Sequence, residues 1–217
     1  LRALRRARAV HLCGDQHLAV SVQHGIEGYR DGPYSFTGPA IVNTIYGRWW
    51  HPLQEEAGSG APIDNALPWT GDYEDGLGNK ITMLAYANPV NRKDRSNRGD
   101  GYGIVRFHKS SGDITFEAWP RFADLSKGDE DQYEGWPITF NARENDGRTP
   151  VGFLKEVELP VENAVVQLTN DETGEMVYCY RVKGTRFKAP VFATGKHTLT
   201  AGKDTPDPVI QAGVVLE

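Results

Sequence analysis

The sequence predicts a mostly β protein, α+β in class, that is built from two parts. Short apolar segments rich in β-branched and aromatic residues recur along the chain, separated by turns rich in Gly, Pro, Asn and Asp. The first nine residues carry a helical pattern, with Arg2, Arg5, Arg6 and Arg8 set among Leu and Ala. From residue 151 onwards the strands are short and recur at intervals of about 8–14 residues, as is typical of a small antiparallel sandwich.

Length and composition are those of an ordinary folded protein. The 217 residues suffice for one large or two small domains. A net charge of −5 and a mean hydropathy of −0.52 give no sign of a nucleic-acid partner. No stretch approaches the roughly 20 apolar residues of a transmembrane helix. The apolar run after the basic start is too short for a signal peptide and is interrupted by Asp15. These features leave the oligomeric state open.

The predicted elements follow one another along the first part of the chain. Strands are expected where β-branched and aromatic residues concentrate, at residues 39–46, 80–87, 102–108 and 114–119. The last two form a hairpin, because only the turn at 109–113 separates them. Residues 53–68 and 88–101 are rich in Gly, Pro and polar side chains, so we expect surface loops there.

A domain boundary is predicted within residues 143–150, where polar and turn-forming residues interrupt the strands. We therefore expect a first domain at residues 1–148 and a second at 149–217. In the second, the sequence Asp-Glu-Thr-Gly at 171–174 predicts a tight hairpin. Alternation around Tyr178 and Tyr180 predicts one apolar face. An immunoglobulin-like β-sandwich with an accessory role is the predicted fold of this part.

The stretch AVHLCGDQHL, residues 9–18, is the most informative for function. Val10–Cys13 is apolar and predicts a buried strand, and Gly14 then allows a sharp turn. Asp15 and His17 follow at once, so we expect both on the loop that leaves the strand. Carboxylate oxygen and imidazole nitrogen are both metal ligands, which makes this pair a candidate metal site. The alternative is a simple strand-ending turn with a solvated Asp15.

Several longer segments resemble one family of enzymes. The tetrapeptide GDQH begins the first of four segments, at residues 14–52, 68–89, 99–124 and 133–141. Together they resemble the C-terminal part of the catalytic domain of alkaline phosphatase D-like proteins, a branch of the binuclear metallophosphoesterases. That superfamily commonly ends its metal motifs with Gly-His-x-His after an apolar strand, and this branch has Asp in place of the first His.

The resemblance implies both a fold and an activity. The first domain would be the C-terminal half of a metallophosphoesterase β-sandwich flanked by helices. The activity would be metal-dependent hydrolysis of a phosphate monoester or diester, in which two metal ions activate water and polarise the phosphoryl oxygens. In this branch the ions are iron and calcium. Asp15 would be a metal ligand, and His17 would be either a second ligand or a catalytic donor to the phosphate and the leaving oxygen. Members of the branch are typically exported, which implies an extracytoplasmic location.

The chain departs from the family pattern at its start. The family carries its other metal ligands upstream of this last motif, whereas only thirteen residues precede Gly14 here and none is a carboxylate. We therefore expect the chain to be the C-terminal portion of a longer protein whose upstream part supplies the remaining ligands. The rival hypothesis is a non-catalytic structural or carbohydrate- or surface-binding protein on a degenerate phosphatase scaffold. Ligand motifs upstream would support the enzyme, and their absence would support the scaffold.

Other residues with possible functional roles have simpler interpretations. His24 could be a further ligand, but a lone histidine is more often a surface or core residue. Trp49 and Trp50 could stack on a sugar or a base, but we expect them to pack a strand end against the sheet. His108 lies beside the hairpin turn and is expected to be exposed.

Two further sets of residues are interpreted as structural. Asp72, Asp75 and Asn79 lack the ligand spacing of a calcium loop, so we predict an ordinary hairpin turn. Cys13 and Cys179 are the only cysteines. They lie in separate predicted domains, and we expect both to be buried free thiols.

Overall fold

The computed structural model of the protein describes residues 1–41, 67–89 and 98–215. Strands account for 41% of the residues and helices for 9%. The predicted mostly β, α+β class is therefore confirmed. The predicted strand at 39–46 and the loop at 53–68 lie largely outside the described residues, and Trp49 and Trp50 lie wholly outside them. The loop predicted at 88–101 is described only at its two ends.

The chain divides into two compact units. The first consists of Leu1 and residues 10–145, and the second of residues 2–9 and 146–217. The division after Asn145 falls within the turn-rich segment at 143–150. The N-terminal helix groups with the second unit, whereas the sequence predicts it as part of a domain at 1–148. The reason is an ion pair and a ring contact that the sequence does not reveal. Arg6 Nη2 lies 2.6 Å from Glu175 Oε1, and the Arg8 guanidinium carbon lies 4.1 Å from the Tyr180 ring centroid.

The first unit contains a five-stranded sheet in the order β1-β3-β2-β5-β4. Its strands are β1 (His11–Cys13), β2 (Val20–His24), β3 (Tyr34–Thr37), β4 (Gly71–Glu74) and β5 (Lys80–Tyr86). β1 pairs parallel with β3, and all other neighbours in this sheet are antiparallel. The predicted strand at 80–87 is confirmed as β5.

A second sheet of the first unit has three antiparallel strands, β6 (Gly101–His108), β7 (Asp113–Pro120) and β8 (Ile138–Asn141). The predicted hairpin is confirmed as β6 and β7. Residues from both sheets share one core, in which the fully buried Phe116 ring stacks 5.2 Å from Phe36 and meets Phe140 edge-on at 5.2 Å. The Trp136 indole donates to the Ser21 hydroxyl at 3.1 Å, so this polar contact also joins the two parts of the core.

The second unit consists of antiparallel strands and one short helix. A four-stranded sheet has the order β12-β11-β15-β16, and two-stranded sheets are formed by β10 with β13 and by β14 with β9. The bounds are β9 (Gly152–Phe153), β10 (Val157–Glu158), β11 (Val165–Asn170), β12 (Met176–Arg181), β13 (Arg186–Phe187), β14 (Pro190–Val191), β15 (Gly195–Ala201) and β16 (Val209–Val215). Leu168, Tyr178 and Leu199 lie at the centre of the apolar core between these sheets.

Helices are short in the described residues. The α-helix α1 spans Arg2–Ala7, and 3-10 turns lie at Leu125–Asp131 and Glu144–Asp146. Leu, Ala and Arg are good helix formers, which accounts for α1. None of the helices described is long and apolar enough to cross a membrane.

Candidate metal-binding loop

The loop from Gly14 to His17 leaves the carboxyl end of β1, as predicted. β3 runs parallel to β1 and ends beside it, with Cys13 opposite Thr37. The backbone N–H of Gly38 donates to the carbonyl of Cys13 at 3.1 Å, so the chain that leaves β3 starts next to the loop. Ligands of open sheets commonly bind at the carboxyl ends of parallel strands. The loop therefore occupies a favourable place for a ligand site.

The sequence predicts a buried strand at Val10–Cys13, and the predicted burial is wrong. The strand forms at His11–Cys13, but all three of its residues are exposed. The exposed fraction of Leu12 is 47%. The physical reason is that β1 is an edge strand with one neighbour, β3. An apolar sequence predicts a strand but does not predict how many strands will flank it.

The backbone of the loop adopts an unusual conformation at both candidate ligands. Asp15 has a φ of 69° and His17 a φ of 52°, which place both in the left-handed region. That region costs a residue with a side chain about 1 kcal/mol. The flanks fix the loop, because β1 precedes it and the buried Leu18 and Ala19 follow it. Conformations of this kind concentrate at functional sites.

The side chains of the loop differ in their exposure. Asp15 is exposed and His17 is half-buried. Both can therefore reach a ligand in solvent without rearrangement of the core. Among the described residues, no group of three or more His, Cys, Asp or Glu side chains is placed to hold a metal ion. A two-metal centre needs more ligands than that, so Asp15 and His17 fit it only as contributors.

The thiol of Cys13 lies just before the loop. Cys13 and Cys179 are both free, as predicted. Burial was predicted for both, but Cys13 is exposed because it belongs to the edge strand, and Cys179 is half-buried. Cys13 Sγ lies 2.9 Å from the Thr37 hydroxyl, which holds the thiol against β3.

The loop at 75–79 is a hairpin turn, as predicted. The Asp75 carboxylate accepts from the backbone N–H groups of Leu77 at 2.9 Å and Asn79 at 2.8 Å. Hydrogen bonds with Asn79 lower the pKa of Asp75 most, and the hydrogen bond with Leu77 lowers it further. Asp72 is buried and engaged elsewhere, since Arg30 Nε lies 3.1 Å from its carboxylate and the Thr82 hydroxyl donates to it.

The sequence did not predict one turn of the first unit, in which backbone N–H groups bind a carboxylate. Three successive backbone N–H groups, those of Ile26, Glu27 and Gly28, donate to the Asp31 carboxylate at 2.6, 3.0 and 2.9 Å. Burial alone would raise the pKa of Asp31, but these hydrogen bonds lower it below its ordinary value. The carboxylate thus organises the connection between β2 and β3. The only signal was the succession of Gly25, Gly28 and the Asp31-Gly pair.

His24 and His108 lie at the ends of strands. His108 is exposed at the end of β6, as predicted. His24 is half-buried at the end of β2, with its ring centroid 6.3 Å from that of His11. It is not a lone histidine, which the sequence did not indicate because twelve residues lie between the two.

Comparison with known proteins adds no relatives. The chain matches no model of a known protein family, no curated protein and no solved structure. The resemblance to alkaline phosphatase D-like proteins therefore stays a prediction from the residues quoted above, and the function is argued from the loop.

Proposed function

We propose that the protein takes part in metal-dependent hydrolysis of phosphate esters and that the GDQH loop supplies ligands to the reaction site. The observation that carries this proposal is the backbone of the loop. Asp15 and His17 both adopt the left-handed conformation at the carboxyl end of a parallel strand pair. Left-handed Asp and His residues also occur in ordinary turns, and the support for a ligand site is that the conformation falls on both candidate metal ligands of one loop.

The two side chains have different tasks in this proposal. The Asp15 carboxylate is a hard, anionic ligand that suits iron or calcium. The His17 imidazole is either a second ligand or the group that contacts the phosphate and gives a proton to the leaving oxygen. When bound, two ions would supply positive charge to the phosphoryl oxygens and activate water. The remaining ligands would come from outside the described residues. An extracytoplasmic location belongs to the same proposal and has the same basis in resemblance.

Replacement of Asp15 tests the proposal directly. In the full native polypeptide supplied with iron and calcium, Asp15→Asn is expected to lower turnover of a chromogenic phosphate ester by about 100-fold or more. The amide keeps the shape of the side chain but removes its charge. Asp207→Asn, at an exposed carboxylate of the second unit, is the matched control and should keep full turnover. Elemental analysis should show less bound metal in Asp15→Asn alone.

His17→Ala distinguishes the two roles of the imidazole. A ligand role predicts loss of both turnover and bound metal, whereas a donor role predicts loss of turnover with the metal retained. His108→Gln is the control, because that ring is exposed at the end of a hairpin strand. If Asp15→Asn and His17→Ala both keep activity and metal at unchanged thermal stability, the loop is a strand-ending turn. The non-catalytic scaffold would then be the correct interpretation.

A further inference from the structure

Two histidines outside the GDQH motif meet on one face of the five-stranded sheet. His11 lies on the edge strand β1 and His24 at the end of β2, with β3 between them. His11 pairs with Ser35, Ser35 pairs with Val22, and His24 follows Val22 by two residues. Paired residues share a face of a sheet, as do residues two apart on a strand, so both imidazoles lie on the same side. Their ring centroids are 6.3 Å apart and their planes meet at 48°.

The two imidazole rings differ in their hydrogen bonds. His11 Nδ1 lies 3.0 Å from the Ser35 hydroxyl oxygen, and Ser35 is itself buried. A hydrogen bond at one ring nitrogen fixes the ring of a metal-binding histidine and leaves the other nitrogen for the ion. On the other ring, His24 Nε2 is buried and has no hydrogen-bond partner among the described residues. A buried nitrogen without a partner costs free energy that a ligand can recover.

From this geometry we infer that His11 and His24 form a binding site for a divalent transition-metal ion such as zinc or copper(II). With a zinc–nitrogen distance of about 2.0–2.1 Å, two imidazoles that share an ion have ring centroids roughly 5 to 6.4 Å apart, depending on the angle at the ion. The observed 6.3 Å falls within that range, near its upper end. At this separation the angle at a shared ion is wide, so tetrahedral coordination requires the exposed His11 side chain to rotate towards His24.

The chemistry of the pair selects the class of ion. Imidazole ligands suit copper, zinc and nickel, whereas calcium and magnesium require oxygen ligands. Among the described residues, no third His, Cys, Asp or Glu side chain joins this pair in a group that could hold a metal ion. The site is independent of the proposed phosphoesterase function.

Titration of the protein with zinc chloride tests this site. The titration uses a Cys13→Ser background, because the exposed Cys13 thiol lies two residues from His11 on the same strand. We expect one zinc ion per chain, and affinity lowered at least about tenfold in His11→Gln and in His24→Gln. The matched control is His108→Gln, which is expected to retain the affinity. In copper(II) electron paramagnetic resonance, two coordinated nitrogens should fall to one in each variant of the pair.

The variants separate this site from the GDQH loop. His11 is exposed, so His11→Gln keeps the test valid even if His24→Gln unfolds the first unit. The inference is overturned if no zinc binds, if binding survives in His11→Gln, or if His108→Gln removes it. If His11→Gln loses zinc but keeps phosphoesterase turnover, the histidine site exists and takes no part in that activity. Turnover lost in Asp15→Asn with zinc retained shows that the two sites are separate.

Discussion

The two units bury different kinds of side chains. The described part of the first unit buries three carboxylates, each paired with an arginine that reaches solvent. The pairs are Asp72 with Arg30, Asp100 with Arg121, and Glu117 with Arg106. The core of the second unit is apolar, and among the described residues its one buried carboxylate is Asp146, which pairs with Arg148 at 2.6 Å.

This difference indicates which kind of substitution destabilises each unit. A buried charge is tolerated only while its partners stay in place, so the first unit depends on specific polar contacts. An apolar core depends on volume and shape instead. The candidate ligands and the histidine pair both belong to the unit with the polar interior. The first unit is therefore more sensitive to the loss of a single polar partner, and the second to the loss of core volume.

The largest expected effect is the loss of core volume in the second unit. Leu168 is fully buried on β11. Leu168→Ala should lower the free energy of unfolding of that unit by about 3 kcal/mol, because the surroundings do not fill the cavity. Ile210→Ala is the control, since Ile210 of the same unit is 68% exposed and nearly neutral behaviour is expected. Urea unfolding monitored by amide hydrogen exchange in β11 measures both. A loss below about 1 kcal/mol would contradict a tightly packed core.

A smaller effect is expected from one polar contact of the first unit. Thr82 is fully buried, and its hydroxyl donates to the Asp72 carboxylate. Thr82→Val keeps the shape but leaves the carboxylate short of a donor, which should cost about 2 kcal/mol in unfolding experiments. Thr198→Val is the control, because its hydroxyl donates to Asp171 near the surface of the second unit, at 3.0 Å. Equal losses in the two variants would show that the buried contact is no more important than the surface one.

The smallest expected effect is a pH dependence that arises at His24. Burial, and then His11, lower the pKa of the folded-state imidazole below its ordinary value of 6.5. Between these two pKa values the unfolded chain takes up a proton that the folded chain does not. The contribution of His24 to stability is therefore complete above pH 6.5 and is lost as the pH falls through the folded-state pKa. Unfolding free energies of the wild type and His24→Gln, measured from pH 5 to 8, should diverge in that window. His108→Gln should follow the wild type, and a His24→Gln profile parallel to the wild type would refute the assignment.

The sequence was a good guide wherever local pattern decides the structure. β5, the hairpin of β6 and β7, and the turn organised by Asp75 follow from short-range composition. The position of the GDQH loop after β1 was predictable for the same reason. The phosphoesterase function itself is not tested by the fold and stays a proposal.

Long-range contacts account for what the sequence did not reveal. The exposure of β1 depends on which strands flank it, and the grouping of α1 depends on Glu175 and Tyr180, far along the chain. The proximity of His11 and His24 requires the order of three strands. A single sequence does not specify such an order, so these features become visible only with coordinates.

The grouping of α1 with the second unit makes that unit a discontinuous domain. In sequence terms the first unit, from Val10 to Asn145, is an insertion between α1 and the strands on which α1 packs. A single truncation at the boundary then isolates neither unit intact, because residues 146–217 lose their helix and residues 1–145 keep a helix without its partner strand. Separation of the two requires removal of the insert and a short linker that joins Ala9 to Asp146.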